Sequence, residues 1–222
     1  MQARISAGLA QLGLTPPPQA PAQLARYGQL LLEQNQVMNL TAITDPDQVV
    51  DLHFLDCAAL LTIGEDFYGK TLIDVGTGAG FPGLPLKILE PSLSVTLLDS
   101  LGKRVNWLSS VCEALSLDKV ACLHARAEEQ ALVKGFRDSF DFVVSRAVAS
   151  LELLSELCLP YVKVGGKFLA MKSVDSGAET EGAARAIAKL GGRLLPRMDY
   201  TIPGTEIVHR VVVVEKVSPT PK

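Results

Sequence analysis

The chain has 222 residues, 48% of them apolar, enough for one substantial α/β domain with a small appendage. A formal charge of −3 and a pI near 5.7 do not mark a general nucleic-acid binder. The balance is uneven, however: residues 1–159 carry 11 basic and 18 acidic side chains, residues 160–222 carry 10 and 6. A local basic face is therefore compatible with an acidic whole. Cys57, Cys112, Cys122 and Cys158 form no C-x-x-C pair, and there are only three histidines, which excludes the usual zinc spacings; no metal site is expected. Thiols among apolar neighbours fit a reduced, cytoplasmic protein. Residues 1–14 lack the charged start and apolar core of a signal peptide, and no apolar run reaches membrane-spanning length.

Residues 1–15 read as a short amphipathic helix stopped by Thr15-Pro16-Pro17-Pro18. A second helix begins at Pro21 and carries Leu24, Tyr27, Leu30, Leu31 and Met38 at helical spacing. The stretch from Asn39 to Thr44 breaks that pattern, and Asp45-Pro46 opens a third helix running to about Leu60. This gives a helical cap over residues 1–62, an α/β domain over 63–217 and a disordered tail over 218–222. Within the cap, Asn39, Asp51, His53 and Asp56 interrupt the apolar pattern. They read first as polar neighbours that satisfy helix ends; the sharper alternative places His53 and Asp56 against a substrate.

The sheet begins at Thr71. Thr71-Leu72-Ile73-Asp74-Val75 runs straight into Gly76-Thr77-Gly78-Ala79-Gly80-Phe81-Pro82-Gly83, and helix-compatible sequence follows. A strand turning tightly into a helix has this form, with glycine where φ is positive or a ligand must approach the backbone. Its amide N–H groups suit a nucleotide or nucleoside. Residues 94–98 read as the next strand, ending on Asp99, nineteen residues after Gly80. An acid there accepts hydrogen bonds from both hydroxyls of a ribose.

The remaining pattern alternates: a helix over 101–117 with Trp107 near its core stripe, a strand over 119–123, a strand over 140–144, a helix over 150–162, then Gly165-Gly166 and a strand over 167–172. A surface loop is expected over 174–183, overlapping a helix over 179–190. A strand over 193–200, a turn at Pro203-Gly204 and a long strand over 206–217 close the chain. Alternation implies a mostly parallel, doubly wound sheet, and the short last connection forces its two strands antiparallel.

A dinucleotide-dependent dehydrogenase shares the first turn and the ribose acid. Against it stand the Gly76-x-Gly78-x-Gly80 spacing, the antiparallel close, and Arg126-Ala127-Glu128 after the third strand, where an adenine edge lies in an S-adenosylmethionine site. Asp74 to Gly83, Leu97 to Arg104, Ala125 to Glu129 and Val144-Ser145-Arg146-Ala147 together resemble the bacterial small-subunit ribosomal RNA guanine-N7 methyltransferases, the glucose-inhibited division protein B family. Asn39-Leu40-Thr41-Ala42-Ile43 and His53-Phe54-Leu55-Asp56 are similar to that family's N-terminal motifs.

The resemblance implies a class I, Rossmann-like methyltransferase fold and S-adenosylmethionine as cofactor. It implies that Gly76, Gly78 and Phe81 border the cofactor, that Asp99, Ser100 and Leu101 hold its ribose side, Ala127 and Glu128 its adenine, and Arg146 its methyl-donor end. The implied substrate is N7 of one guanine in 16S ribosomal RNA, free or in the 30S particle, with the enzyme a monomer. N7 has a lone pair and no proton to lose, so alignment suffices and no general base is required. The absences agree: no Asn/Asp-Pro-Pro-aromatic motif follows Val144, and no Pro-Cys pair offers a nucleophile. Asp141 reads as structural.

Arg146 could pair with the cofactor carboxylate, or donate to guanine O6 and a phosphate; a structural salt bridge is the other reading. Asn39, His53, Asp56, Lys103, Arg104 and Lys172 are the candidate substrate contacts, and Arg126, Lys163, Lys167, Arg193, Arg197 and Arg210 extend the candidates for RNA phosphates. A small-molecule or protein methyltransferase, and a noncatalytic cofactor-binding module, remain as alternatives.

Overall fold

The computed structural model describes residues 1–146 and 149–221; Ala147 of the Val144–Ala147 motif and Lys222 of the tail lie outside them. Helices α1 (Gln2–Gln11) and α2 (Ala20–Met38) come first, and α2 ends where Asn39 takes a left-handed conformation, φ 47°. Asp45 caps α3 (Pro46–Val49) by accepting from Gln48 N. The helix then loosens into a π-helix over Val50–Leu55 before α4 (Asp56–Ala58) and a 3-10 turn over Ala59–Thr62.

The α/β alternation follows as read: β1 (Thr71–Val75), α5 (Gly83–Leu89), β2 (Ser94–Asp99), α6 (Gly102–Ala114), β3 (Val120–His124), α7 (Ala127–Gln130), β4 (Phe140–Ser145), α8 (Leu151–Cys158), β5 (Val162–Ser173), α9 (Gly177–Lys189), β6 (Gly192–Leu194), β7 (Met198–Thr201) and β8 (Val208–Lys216). The sheet order is β3-β2-β1-β4-β5-β8-β6, with β7 also on β8. Pairs from β3 to β5 are parallel, and β8 runs antiparallel to β5, β6 and β7. The fold is that of a class I methyltransferase.

Strand residues alternate between two apolar layers, as a period of two requires. Leu72, Val95, Leu97, Phe142, Val144 and Leu169 face α1, α2, α5 and α6; Ile73, Val75, Leu98, Val143 and Phe168 face α8 and α9. The N-terminal helices share the first layer with the sheet, through Ile5, Leu24, Tyr27 and Leu31.

Four details depart from the sequence reading. Gly165-Gly166 does not precede a strand but lies inside β5, which pairs with β4 across a register shift between Phe140 and Phe142. The segment read as a loop over 174–183 is a 3-10 turn followed by α9 from Gly177. The strand read over 193–200 is two, because Pro196 has no N–H to keep a ladder going. The tail is docked rather than disordered: Thr220 is buried, its hydroxyl donates to Leu190 O (2.8 Å), and Arg137 Nη2 holds the carbonyls of Thr220 (2.7 Å) and Pro221 (2.9 Å). Among the described residues no helix is long and apolar enough to cross a membrane.

Candidate active site

β1 is flanked by β2 on one side and β4 on the other, so the loops after β1 and β4 part and leave a crevice at the carboxyl ends of the strands. The loop after β1 turns through Gly76 (φ 72°), Gly78 (φ 59°) and Gly80 (φ 100°). These glycines serve two purposes. A Cβ at position 76 or 78 meets nothing within 4 Å, leaving backbone open to a ligand. A Cβ at 80 lies 2.5 Å from Tyr27 Oη and 2.9 Å from Leu108 Cδ2, so Gly80 allows close packing beneath the loop. The Tyr27 hydroxyl donates to Ala79 O there.

Asp99 ends β2 with its carboxylate 5% exposed. It accepts from Gly78 N at Oδ2 (2.9 Å) and from Leu101 N at Oδ1 (2.9 Å), with Arg104 3.8 Å away. A carboxylate has about four lone-pair sites, so capacity for two hydroxyls remains. Gly76, Asp99, Ser100, Ala127 and Glu128 line one cavity of about 280 Å³. Tyr161 Oη donates to Ala127 O (2.6 Å) and fixes the chain after β3. A bare backbone turn, an acid opposite it and a short loop for an aromatic edge fit a nucleoside. Leu101, 51% exposed, acts here through its backbone N–H, and Gly78 through its bond to Asp99.

Asp74, fully buried under the same loop, accepts from Thr77 Oγ1 and Gly83 N (both 2.8 Å) through Oδ2, while Oδ1 has no partner among the described residues. Burial pushes its carboxyl up to about 7 against those two bonds.

A second polar group joins distant parts of the chain. In the π-helix, Asp56 N–H bonds Asp51 O, five residues back, which frees the Leu52 carbonyl. Arg146, at the end of β4, donates Nη1 to Leu52 O (3.0 Å) and Asp56 (3.3 Å), and Nη2 to His53 Nδ1 (2.9 Å). Arginine has only donors, so His53 Nδ1 accepts and its proton sits on Nε2, which donates to Thr41 Oγ1 (2.9 Å). The His53 ring stacks on Phe81 at 4.4 Å, and the Arg146 guanidinium lies 4.8 Å from the same ring. Asp56 also accepts from Tyr200 Oη (2.7 Å) and His209 Nδ1 (2.8 Å). Burial pushes Asp56 up, but the bonds from His209 and Tyr200 and the Arg146 charge outweigh it and hold the carboxyl below its usual value. The bond to Asp56 raises His209, whereas burial and the Arg146 charge push His53 down to about 3.

Beside this group lies a larger cavity of about 570 Å³, lined by Asp56, Arg146, Lys172, Glu179 and His209 among others. Ala149 lines both cavities, so they adjoin. Lys172 Nζ donates to Ala149 O and to Glu179 Oε1 (2.9 Å).

The structure thus brings Gly76, Asp99, Ser100, Ala127 and Glu128 together at one cavity. Arg146 instead spends both terminal nitrogens on the cap helix, the salt-bridge arrangement, while lining the larger cavity. Phe81 is buried against both His53 and Arg146 rather than lining the smaller cavity. Asn39 is an exposed helix cap and Lys103 is exposed on α6. Lys163 and Lys167 pair with Asp141 and Glu65 toward the start of β5, away from the crevice, and Arg193 pairs with Glu215 at that same end. Arg126 pairs with Glu128, and Arg210 holds Asp199 with two bonds of 2.6 and 2.7 Å. Arg197 is exposed near Gly177. Sequence reading missed Thr41, Glu179, Tyr200 and His209. For His209 a signal exists, a polar residue opening an apolar strand.

Comparison with known proteins identifies the family. The family model described as rRNA small subunit methyltransferase G (GidB) matches residues 20–199. The ribosomal RNA small subunit methyltransferase G of Lachnoclostridium phytofermentans is 46% identical over 97% of this chain and 89% of its own. That of Clostridium perfringens strain SM101 is 47% identical over 88% and 82%. The crystal structure of M. jannaschii TYW2 in complex with AdoMet shares the fold, with a TM-score of 0.54 and 17% identity over 69% of this chain and 72% of that one. On these matches the chain belongs to the rRNA small subunit methyltransferase G (GidB) family of S-adenosylmethionine-dependent methyltransferases.

Proposed function

We propose that this enzyme methylates N7 of one guanine in 16S ribosomal RNA. The observation that carries the reading is the pair of adjoining cavities, one shaped for a nucleoside and one beside a network in which Asp56 and His53 are already engaged. Asp56 is taken by Tyr200, His209 and Arg146, and His53 by Arg146 and Thr41, so neither is left as a general base. That arrangement suits a nucleophile that has no proton to give up.

The open backbone of Gly76 and Gly78 would receive the methionine-bearing side of the cofactor, Asp99 its ribose hydroxyls, and Ala127 with Glu128 its adenine. When bound, S-adenosylmethionine would supply a sulfonium methyl for transfer to the N7 lone pair, the C–S electrons staying on sulfur and the positive charge passing to the purine. The protein's part is alignment and exclusion of water. Arg146, backed by His53 and Phe81, borders the larger cavity, and α8 closes the smaller one through Leu154.

A cytoplasmic location and a monomeric state belong to the same proposal. All four cysteines are unpaired, and one chain lines both cavities. The test is to map N7-methylguanine in 16S ribosomal RNA from cells with and without the gene, and in 30S particles treated with purified protein. One N7 mark is expected, lost in Asp99→Ala together with affinity for S-adenosylhomocysteine. An unchanged N7 map, or a methyl group on another atom, would refute the proposal.

A further inference from the structure

Lys172 and Glu179 line the larger cavity and touch each other, yet both retain bonding capacity. Lys172 Nζ has three N–H donors and uses two, on Ala149 O and Glu179 Oε1. Glu179 Oε1 accepts from Lys172 and from Leu151 N, while Oε2 accepts nothing among the described residues. Arg146 shares the cavity, but three of its five N–H groups bond the cap helix and its charge faces Asp56. At its Lys172–Glu179 side the cavity therefore presents an unused donor on a cation beside an unused acceptor on an anion.

We propose that Lys172 and Glu179 are the base-reading pair of this methyltransferase, Lys172 donating to guanine O6 and Glu179 accepting from N1–H and the 2-amino group. This rests on guanine N7 being the target. Along that edge guanine offers an acceptor, O6, next to two donors, N1–H and N2–H, matching an ammonium next to a carboxylate. Adenine offers the reverse, an amino group and then a lone pair, so both contacts turn unfavourable. Ala149 joins this cavity to the nucleoside cavity, and its carbonyl holds the Lys172 ammonium; O6 is the guanine atom flanking N7.

The pair also acts on rate. Methylation at N7 leaves the purine positively charged and makes N1–H and the amino group stronger donors. A carboxylate on that edge binds the transition state more tightly than the ground state, which is how an interaction raises kcat. Glu179 is therefore a specificity residue whose charge matters as well as its shape.

Glu179→Gln isolates the charge, because the amide oxygen still accepts from Leu151 N and Lys172 Nζ. The assay uses reconstituted 30S particles whose 16S ribosomal RNA carries guanosine or inosine at the mapped site; inosine lacks only the 2-amino group. Wild type should prefer guanosine by about tenfold or more in kcat/KM, as expected for one lost charge-assisted hydrogen bond. Glu179→Gln should lose about 10- to 100-fold in kcat on guanosine and most of the preference. Its melting temperature and S-adenosylhomocysteine affinity should stay at wild-type values, which a purely structural Glu179 does not predict. Normal kcat with an unchanged guanosine-to-inosine ratio overturns the base-reading pair alone. A wild-type enzyme that leaves N7 unmethylated sinks the parent reading and this one with it.

Discussion

Alanine at position 78 and alanine at position 80 should fail in different ways, although both replace a glycine of one loop. At 78 the added methyl meets nothing within 4 Å, and the only folding cost is an L-residue at φ 59°, about 1–2 kcal/mol. At 80 the same kind of strain applies at φ 100°, and the methyl also lies 2.5 Å from Tyr27 Oη and 2.9 Å from Leu108 Cδ2. Tyr27 is fully buried and hydrogen-bonded to Ala79, so it cannot swing aside, and overpacking adds about 1–3 kcal/mol. At roughly 2–4 °C per kcal/mol for a chain of this size, Gly80→Ala should melt about 2–12 °C below Gly78→Ala. Calorimetry with S-adenosylhomocysteine should show the opposite order of binding damage, with Gly78→Ala losing affinity on the order of tenfold while remaining folded. Wild-type affinity in Gly78→Ala, or equal melting of the two variants, would refute the division of the loop into a ligand side and a packing side.

Arg146→Ala leaves the Leu52 carbonyl and His53 Nδ1 without their donor and removes a cation 3.3 Å from buried Asp56. We expect a loss of about 2–4 kcal/mol in denaturant unfolding, with little rescue by lysine, whose ammonium cannot reproduce the guanidinium fork; wild-type stability in the alanine variant would contradict the network. For pH, His53 is held down to about 3 from an ordinary 6.5 by burial and the Arg146 charge. As pH falls through that window the unfolded chain binds a proton that the folded chain refuses, so stability declines toward acid. His53→Asn should flatten the slope of unfolding free energy between those pH values, and an unaltered slope would disprove the assignment. His209 has the opposite sign: raised by Asp56, its contribution is complete below about 6.5 and fades as pH climbs through its folded value.

The lining of the smaller cavity was readable because its signals are local. The glycine turn and Asp99 belong to one βαβ unit, and Gly78 and Asp99 are hydrogen-bonded across only 21 residues. Strand positions were readable for a related reason, since β-branched runs alternate between two apolar layers. The larger cavity was not. Asp56 meets Arg146, Tyr200 and His209 across 90, 144 and 153 residues, and no local pattern encodes such meetings. The π-helix that frees the Leu52 carbonyl has no residue signature of its own, so His53 and Asp56 read as ordinary polar neighbours. Arg146 was correctly placed at a strand end beside the site, but its partners came from a helix that sequence could not orient. Small polar residues over 174–183 suggested a loop, where the start of α9 in fact delivers Glu179.

β8 is the last strand in the chain, yet it lies inside the sheet, between β5 and β6. During synthesis, five parallel strands can assemble while the long edge of β5 waits bare, a surface prone to pairing with other chains. The same late strand carries His209 to Asp56, so the cavity beside the crevice is finished only when residues 208–216 leave the ribosome. A nascent chain can thus have its smaller cavity formed while its second cavity is still open, and a frameshift near the end should yield aggregate rather than a weak enzyme.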